Sequence, residues 1–224
     1  MKRLGVLQHS EAEYLGLIED HLEGRNIRFT YIRPFAAGGG VPSVVAGDGL
    51  IVLGGGPYGL VSGHILPSLG PELRLARAYL EAGLPVVGFG MGALILTVAA
   101  GGGVTEAPLR FTIDQARAAP GSGLPEQFPV AAYLRDAPVL KPDWPVLATD
   151  GQGAPLVFAA RANAIGFLGH PGMKRGMAED LIMEYADTPD DCPEALAQLG
   201  AVQADLAGAL SPLMVWLVNR CGWM

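Results

Sequence analysis

Residues 85–104 read PVVGFGMGALILTVAAGGGV. An apolar run, Pro85–Phe89, meets a glycine-spaced pentad, Gly88-Phe89-Gly90-Met91-Gly92, and a second apolar run follows. That order predicts a buried strand (Pro85–Phe89), a sharp turn, and a helix over Gly92–Ala100. The pentad has the G-x-nucleophile-x-G spacing of a nucleophile elbow, whose flanking residues must be small because strand and helix approach closely. The central residue usually bears a serine or cysteine at a helix start, where free N–H groups and the dipole stabilise a thiolate or oxyanion. Here it is Gly90, which has no side chain. The uncharged stretch Ala82–Thr105 is long enough for a membrane span, but Pro85 and its glycines divide it into a strand–turn–helix unit.

Upstream, Arg3–His9 reads as a buried strand. Glu11–Glu23 reads as a helix, with Leu15, Ile18 and Leu22 at helical spacing and Gly24 at the C-cap. Strands follow at Ile27–Ile32 and Asp48–Leu53, separated by a glycine-rich loop at Ala36–Val41, and Pro71–Glu81 reads as a helix. Downstream, Val104–Asp150 is proline-rich and reads as short strands. Ala154–Ala160 and Ala164–Gly169 read as a hairpin around Asn163, Lys174–Tyr185 as a helix, and Pro193–Asn219 as mostly helical. Strands alternating with helices predict an α/β fold: an open, mostly parallel, flavodoxin-like sheet with helices on both faces. Ligands of such sheets sit at the carboxyl ends of the strands, where Gly54–Tyr58, Gly88–Gly92 and Gly169–Gly172 converge. The expected organisation is one domain over residues 1–190 and a helical extension over 191–224 packed on it.

The formal charge of −7 and the lack of any basic run argue against nucleic acid or an anionic membrane as partner. Cys192 and Cys221 have no metal or disulfide spacing, which fits a reduced, cytoplasmic compartment. The N-terminal stretch, interrupted by Gln8, His9 and two glutamates, does not read as a signal peptide. No metal constellation, phosphate loop or cofactor motif is visible, so no cofactor is expected.

Four pieces carry a resemblance. PVVGFGMGALILTVAAGGGV resembles the elbow of class I glutamine amidotransferases, typically P-V-L-G-I-C-x-G-x-Q-x-[LM]-A…G-G-x-V. LQHSEAEYLGLIEDHLEGRNIRF (7–29) is similar to that family's first strand and helix. DGLIVLGGGPYG (48–59) is similar to its oxyanion-loop strand. LKPDWPVLATDGQGAPLVFAARANAIGFLGHPG (140–172) is similar to its closing section, which ends G-x-Q-F-H-P-E. The type it resembles is the GMP-synthase-like amidotransferase domain. The resemblance implies a vestigial triad histidine at His170, an inactive nucleophile position at Gly90, and an inactive triad-glutamate position at Gly172. It implies oxyanion glycines at Gly55 and Gly56, and a ligand cleft bordered by Tyr58, Met91 and Leu94, the last where the family has glutamine.

A histidine base needs a nucleophile to deprotonate and a carboxylate to set its tautomer. With both gone, the expectation is a catalytically silent protein. It would serve as a synthase-type or regulatory subunit, a homo-oligomer, or a small-molecule binding module. The alternative is an enzyme of altered chemistry using His170 without a cysteine. Other groups carry weaker signals. His9 and His64 read as cleft-lining or strand-end histidines. Cys192 lies near a helix start, where a thiol pKa can fall. The stripe Leu213–Val218 reads as core or subunit contact.

Overall fold

The computed structural model describes all residues, 1–224. The elements follow in chain order. They begin β1 (Arg3–Leu7), α1 (Ile18–Glu23), β2 (Arg28–Ile32), β3 (Gly49–Val52), α2 (Leu69–Glu81), β4 (Val86–Phe89) and α3 (Met91–Ala99). Then come β5 (Gly103–Thr105), β6 (Arg110–Ala118), β7 (Gln127–Leu134), β8 (Ala137–Val139), β9 (Val146–Thr149), β10 (Pro155–Arg161) and β11 (Ala164–Phe167). The chain closes with α4 (Arg175–Glu184) and α5 (Cys192–Arg220).

One sheet of nine strands runs β2-β1-β3-β4-β11-β10-β9-β6-β7, and β5 pairs with β8 apart from it. The pairings from β2 through β11 are parallel. Every residue of β3, β4 and β11 is buried. That is why these strands read as unbroken apolar runs: a parallel sheet covered on both faces leaves no polar side to alternate with. On one face α2 and α3 pack Leu75, Tyr79, Leu94 and Ile95 against Leu7, Leu50 and Val52. On the other, α1 and α5 pack Ile18, Leu22, Leu213 and Leu217 against Ile51, Phe89 and Phe167.

From β11 onward the sheet is antiparallel. The expectation of short strands over 104–150 is corrected here. β6 and β7 form a long hairpin, in register from Arg110↔Leu134 to Arg117↔Gln127. Pro129 lies inside β7, the last strand of the sheet; edge strands tolerate proline, so it does not break the hairpin.

The helix expected over Glu11–Glu23 also needs correction, because it begins only at Ile18. Leu15, Ile18 and Leu22 are buried as their spacing implies, but Ser10–Leu17 is an irregular segment. Gly16 has φ +63°, and the Leu17 N–H donates to the Gly172 carbonyl at 2.9 Å rather than into a helix. Contacts of Glu13 with Gly56, after β3, and of the Tyr14 carbonyl with His170, after β11, place Ser10–Leu17 over the carboxyl ends of β1, β3 and β11. α5, 29 residues long, has the length and apolar composition of a membrane-crossing helix, yet it lies along β6 and β7 with Leu206, Leu210, Leu213 and Leu217 buried.

Candidate functional site

β4 delivers the chain into a tight turn at Gly90, the N-cap of α3, with φ 54° and ψ −121°. The Gly90 N–H donates to the Phe167 carbonyl of β11 at 2.8 Å, and the Gly90 carbonyl accepts from the Ala93 N–H at 3.0 Å. The flanking glycines are sterically required: a Cβ on Gly88 would strike the Gly92 backbone, and one on Gly92 would strike the Val52 carbonyl. Gly90 differs from both. A Cβ there would meet nothing nearer than Gly54 Cα at 3.6 Å and the Tyr133 carbonyl at 4.0 Å. Space for a side chain remains; the obstacle is a φ that L-residues rarely adopt.

The loop after β3 faces this turn. Gly55 lies under the Met91 thioether, so Met91 fills space beside the loop. Gly56, at φ +54°, donates its N–H to a carboxylate oxygen of Glu13. Tyr58 rests edge-on against Tyr185, with ring centroids 6.1 Å apart, and borders a cavity of about 80 Å³ with His9, Phe35 and Ser68. Leu94 is fully buried in the core against α2.

His170 follows β11 and is stacked on Phe89 with centroids 5.4 Å apart. Its backbone N–H donates to Ala131 at 2.7 Å. The ring Nδ1 lies 3.1 Å from the Gly172 N–H, which can only donate, so Nδ1 accepts and the proton sits on Nε2. Nε2 in turn donates to the Tyr14 carbonyl at 2.9 Å. Burial outweighs that hydrogen bond and pushes the pKa down to about 4, keeping the ring neutral. Gly172 has no room for the side chain implied by the resemblance, since its Cβ would stand 2.9 Å from Ile18 Cγ1.

No protein-family model and no curated protein sequence matches the chain. Solved structures do, over nearly its whole length. A glutamine amidotransferase from Methylobacillus flagellatus is 21% identical, aligned over 99% of this chain and 96% of that one, with TM-score 0.81. A glutamine amidotransferase from Thermotoga maritima is 20% identical over 98% and 97%, with TM-score 0.77. A GMP synthase component from Thermoplasma acidophilum is 16% identical over 91% and 98%, with TM-score 0.60. This chain has the glutamine amidotransferase fold.

Within the glutamine amidotransferase fold, the most polar part of this cleft is one that motif reading did not single out. Glu13 is buried against Gly54 and Gly56, and burial raises its pKa to about 7 against the opposing pull of the Gly56 N–H and His9. His9 is buried too. Its Nδ1 donates to the Gly54 carbonyl at 2.7 Å, so Nδ1 carries a proton, and Nε2 lies 2.7 Å from Glu72 Oε2. Burial alone would lower the His9 pKa, but the charge and hydrogen bond of Glu72 raise it. Ser68 donates to the other Glu72 oxygen at 2.6 Å. Tyr133 is buried with its hydroxyl unpartnered, and that burial raises its pKa, with smaller contributions from Cys192 and Glu13.

The sequence signals for this cluster were His9, read as a cleft-lining or strand-end histidine, and the polar break Gln8-His9-Ser10-Glu11 after the apolar strand; Glu13 and Glu72 gave none. His64 is exposed on the loop before α2. Cys192 is the first residue of α5, but burial and Asp191 raise its pKa, the reverse of the lowering that a helix start would give.

Proposed function

We propose that this chain is a catalytically silent glutamine amidotransferase-like protein, a subunit or binding module that keeps the fold and the cleft without hydrolysing glutamine. The observation that carries the reading is Gly90. The turn retains the unusual backbone of an elbow, with room for a side chain, and offers no nucleophile. Two further observations support it. His170 has both ring nitrogens bonded to backbone and a pKa far below neutrality, so it is not poised as a base. Gly172 bears no carboxylate and is packed against Ile18. These same bonds count against altered chemistry routed through His170.

A protein partner belongs to the proposal by likeness to the Thermoplasma acidophilum GMP synthase component. A cytoplasmic setting belongs to it through the two free, buried cysteines.

Exposure to an electrophilic glutamine analogue, read by intact-mass spectrometry, tests the reading. The mass should stay unchanged, because the cleft holds no thiol and burial raises the pKa of both Cys192 and Cys221. An adduct mapping to Gly88–Leu94, Glu13 or His170 would overturn it.

A further inference from the structure

Ser10–Leu17 breaks a helix that its apolar spacing would otherwise extend. Its polar groups are spent on the cleft instead. Glu13 accepts from the Gly56 N–H, and the Tyr14 carbonyl accepts from His170 Nε2–H. Both cleft donors are therefore met by acceptors from one short segment, as a bound ligand with two acceptor groups would meet them. Its ends are fixed, by β1 on one side and by the Leu17 N–H on the Gly172 carbonyl on the other. Gly16, at φ +63°, supplies a backbone pivot between them.

The choice of Glu13 is costly. A carboxyl buried against Gly54 and Gly56 is a poor structural filler, because burying it carries a desolvation penalty that an apolar side chain avoids. The Tyr133 hydroxyl, in the same packed cluster as Ala12, has no partner, so the closed arrangement leaves a buried polar group unsatisfied.

We propose that Ser10–Tyr14, the part of this segment before the core residue Leu15, is an intramolecular strap that occupies the cleft in place of a ligand, with Glu13 standing where a ligand's carbonyl or carboxyl oxygen would bind, and that it swings out before anything enters. The proposal rests on the reading of the cleft as a binding site.

Hydrogen exchange on the wild-type chain gives a first measurement. The Gly56 amide, which Glu13 covers, should exchange on the order of 100-fold faster than those of Ile51 and Val87, as expected for a separately opening unit. Exchange of all three at one common rate would overturn the strap. A second measurement places a thiol at the elbow. Gly90→Cys is treated with iodoacetamide with and without Glu13→Ala, and peptide mapping isolates the introduced thiol from Cys192 and Cys221. Loss of Glu13 should speed labelling at least about tenfold; equal rates in two folded variants would contradict the proposal. If Glu13→Ala does not fold, Glu13→Ser, whose side chain is too short to reach the Gly56 amide, replaces it, with any acceleration counting for the strap and none against it. Neither measurement involves glutamine hydrolysis, so the strap and catalytic silence fail separately.

Discussion

Gly90 separates two properties that an elbow nucleophile combines, a reactive side chain and a strained backbone. Only the backbone survives, and glycine holds φ 54° without strain. Because a Cβ there would clash with nothing, Gly90→Ala isolates the conformational cost. Urea melts should show a loss of about 1–3 kcal/mol, and an unchanged midpoint would mean that the turn adopts an ordinary helix-start geometry in solution. Glu13 carries a second prediction. Its pKa rises from 4.5 to about 7 on folding, so the folded state holds its proton more tightly than the unfolded state. That contribution is fully present below pH 4.5 and is lost as pH rises through about 7. Glu13→Gln has no such loss. Relative to wild type it should gain stability on the order of 3 kcal/mol between about pH 5 and pH 9, measured as paired urea midpoints. A difference independent of pH would rule out the buried carboxyl. Gly90, His170 and the oxyanion-loop glycines could be picked out from the sequence because motif spacing is local. Glu13 could not, because its partner is a backbone amide 43 residues away.

Ser10–Leu17 shows how an element can satisfy a helical pattern of burial without being a helix. Leu15, Ile18 and Leu22 all reach the core, but the backbone of the first turn is committed to Gly172 and His170. Periodicity reports which residues are buried; it does not report where the backbone hydrogen bonds go. The same packing decides what happens when a cysteine and a glutamate are introduced at the two positions that the resemblance implies. Gly90→Cys combined with Gly172→Glu should release no ammonia from glutamine, because Ile18 stands 2.9 Å from the new Cβ and the Gly172 N–H already holds His170 Nδ1. The overpacking should also cost about 1–3 kcal/mol in a urea melt. Full stability with recovered turnover would show that the segment yields easily to the restored glutamate. α5 gives a contrast in a single helix: Leu213 is buried and Val215 is 45% exposed. Leu213→Ala should cost about 2–5 kcal/mol, whereas Val215→Ala should stay within about 0.5 kcal/mol. Equal small effects would mean that α5 is not part of the folded core.

At the scale of the whole molecule, the parallel half of the sheet was legible because β3, β4 and β11 are buried on both faces and read as continuous apolar runs. The antiparallel half was not. β6 mixes exposed and buried positions, and β7, buried at all but its first residue, carries a proline inside it. The likeness to solved amidotransferases spans both halves, since it covers 99% of this chain. The proposed silence rests on three features: no side chain at Gly90, a neutral and doubly bonded His170, and Glu13 on the Gly56 amide. Steady-state ammonia release from glutamine by the purified chain tests this most directly. A silent cleft predicts release indistinguishable from the protein-free blank. Turnover above about one per minute, the pace of a slow enzyme, would contradict it.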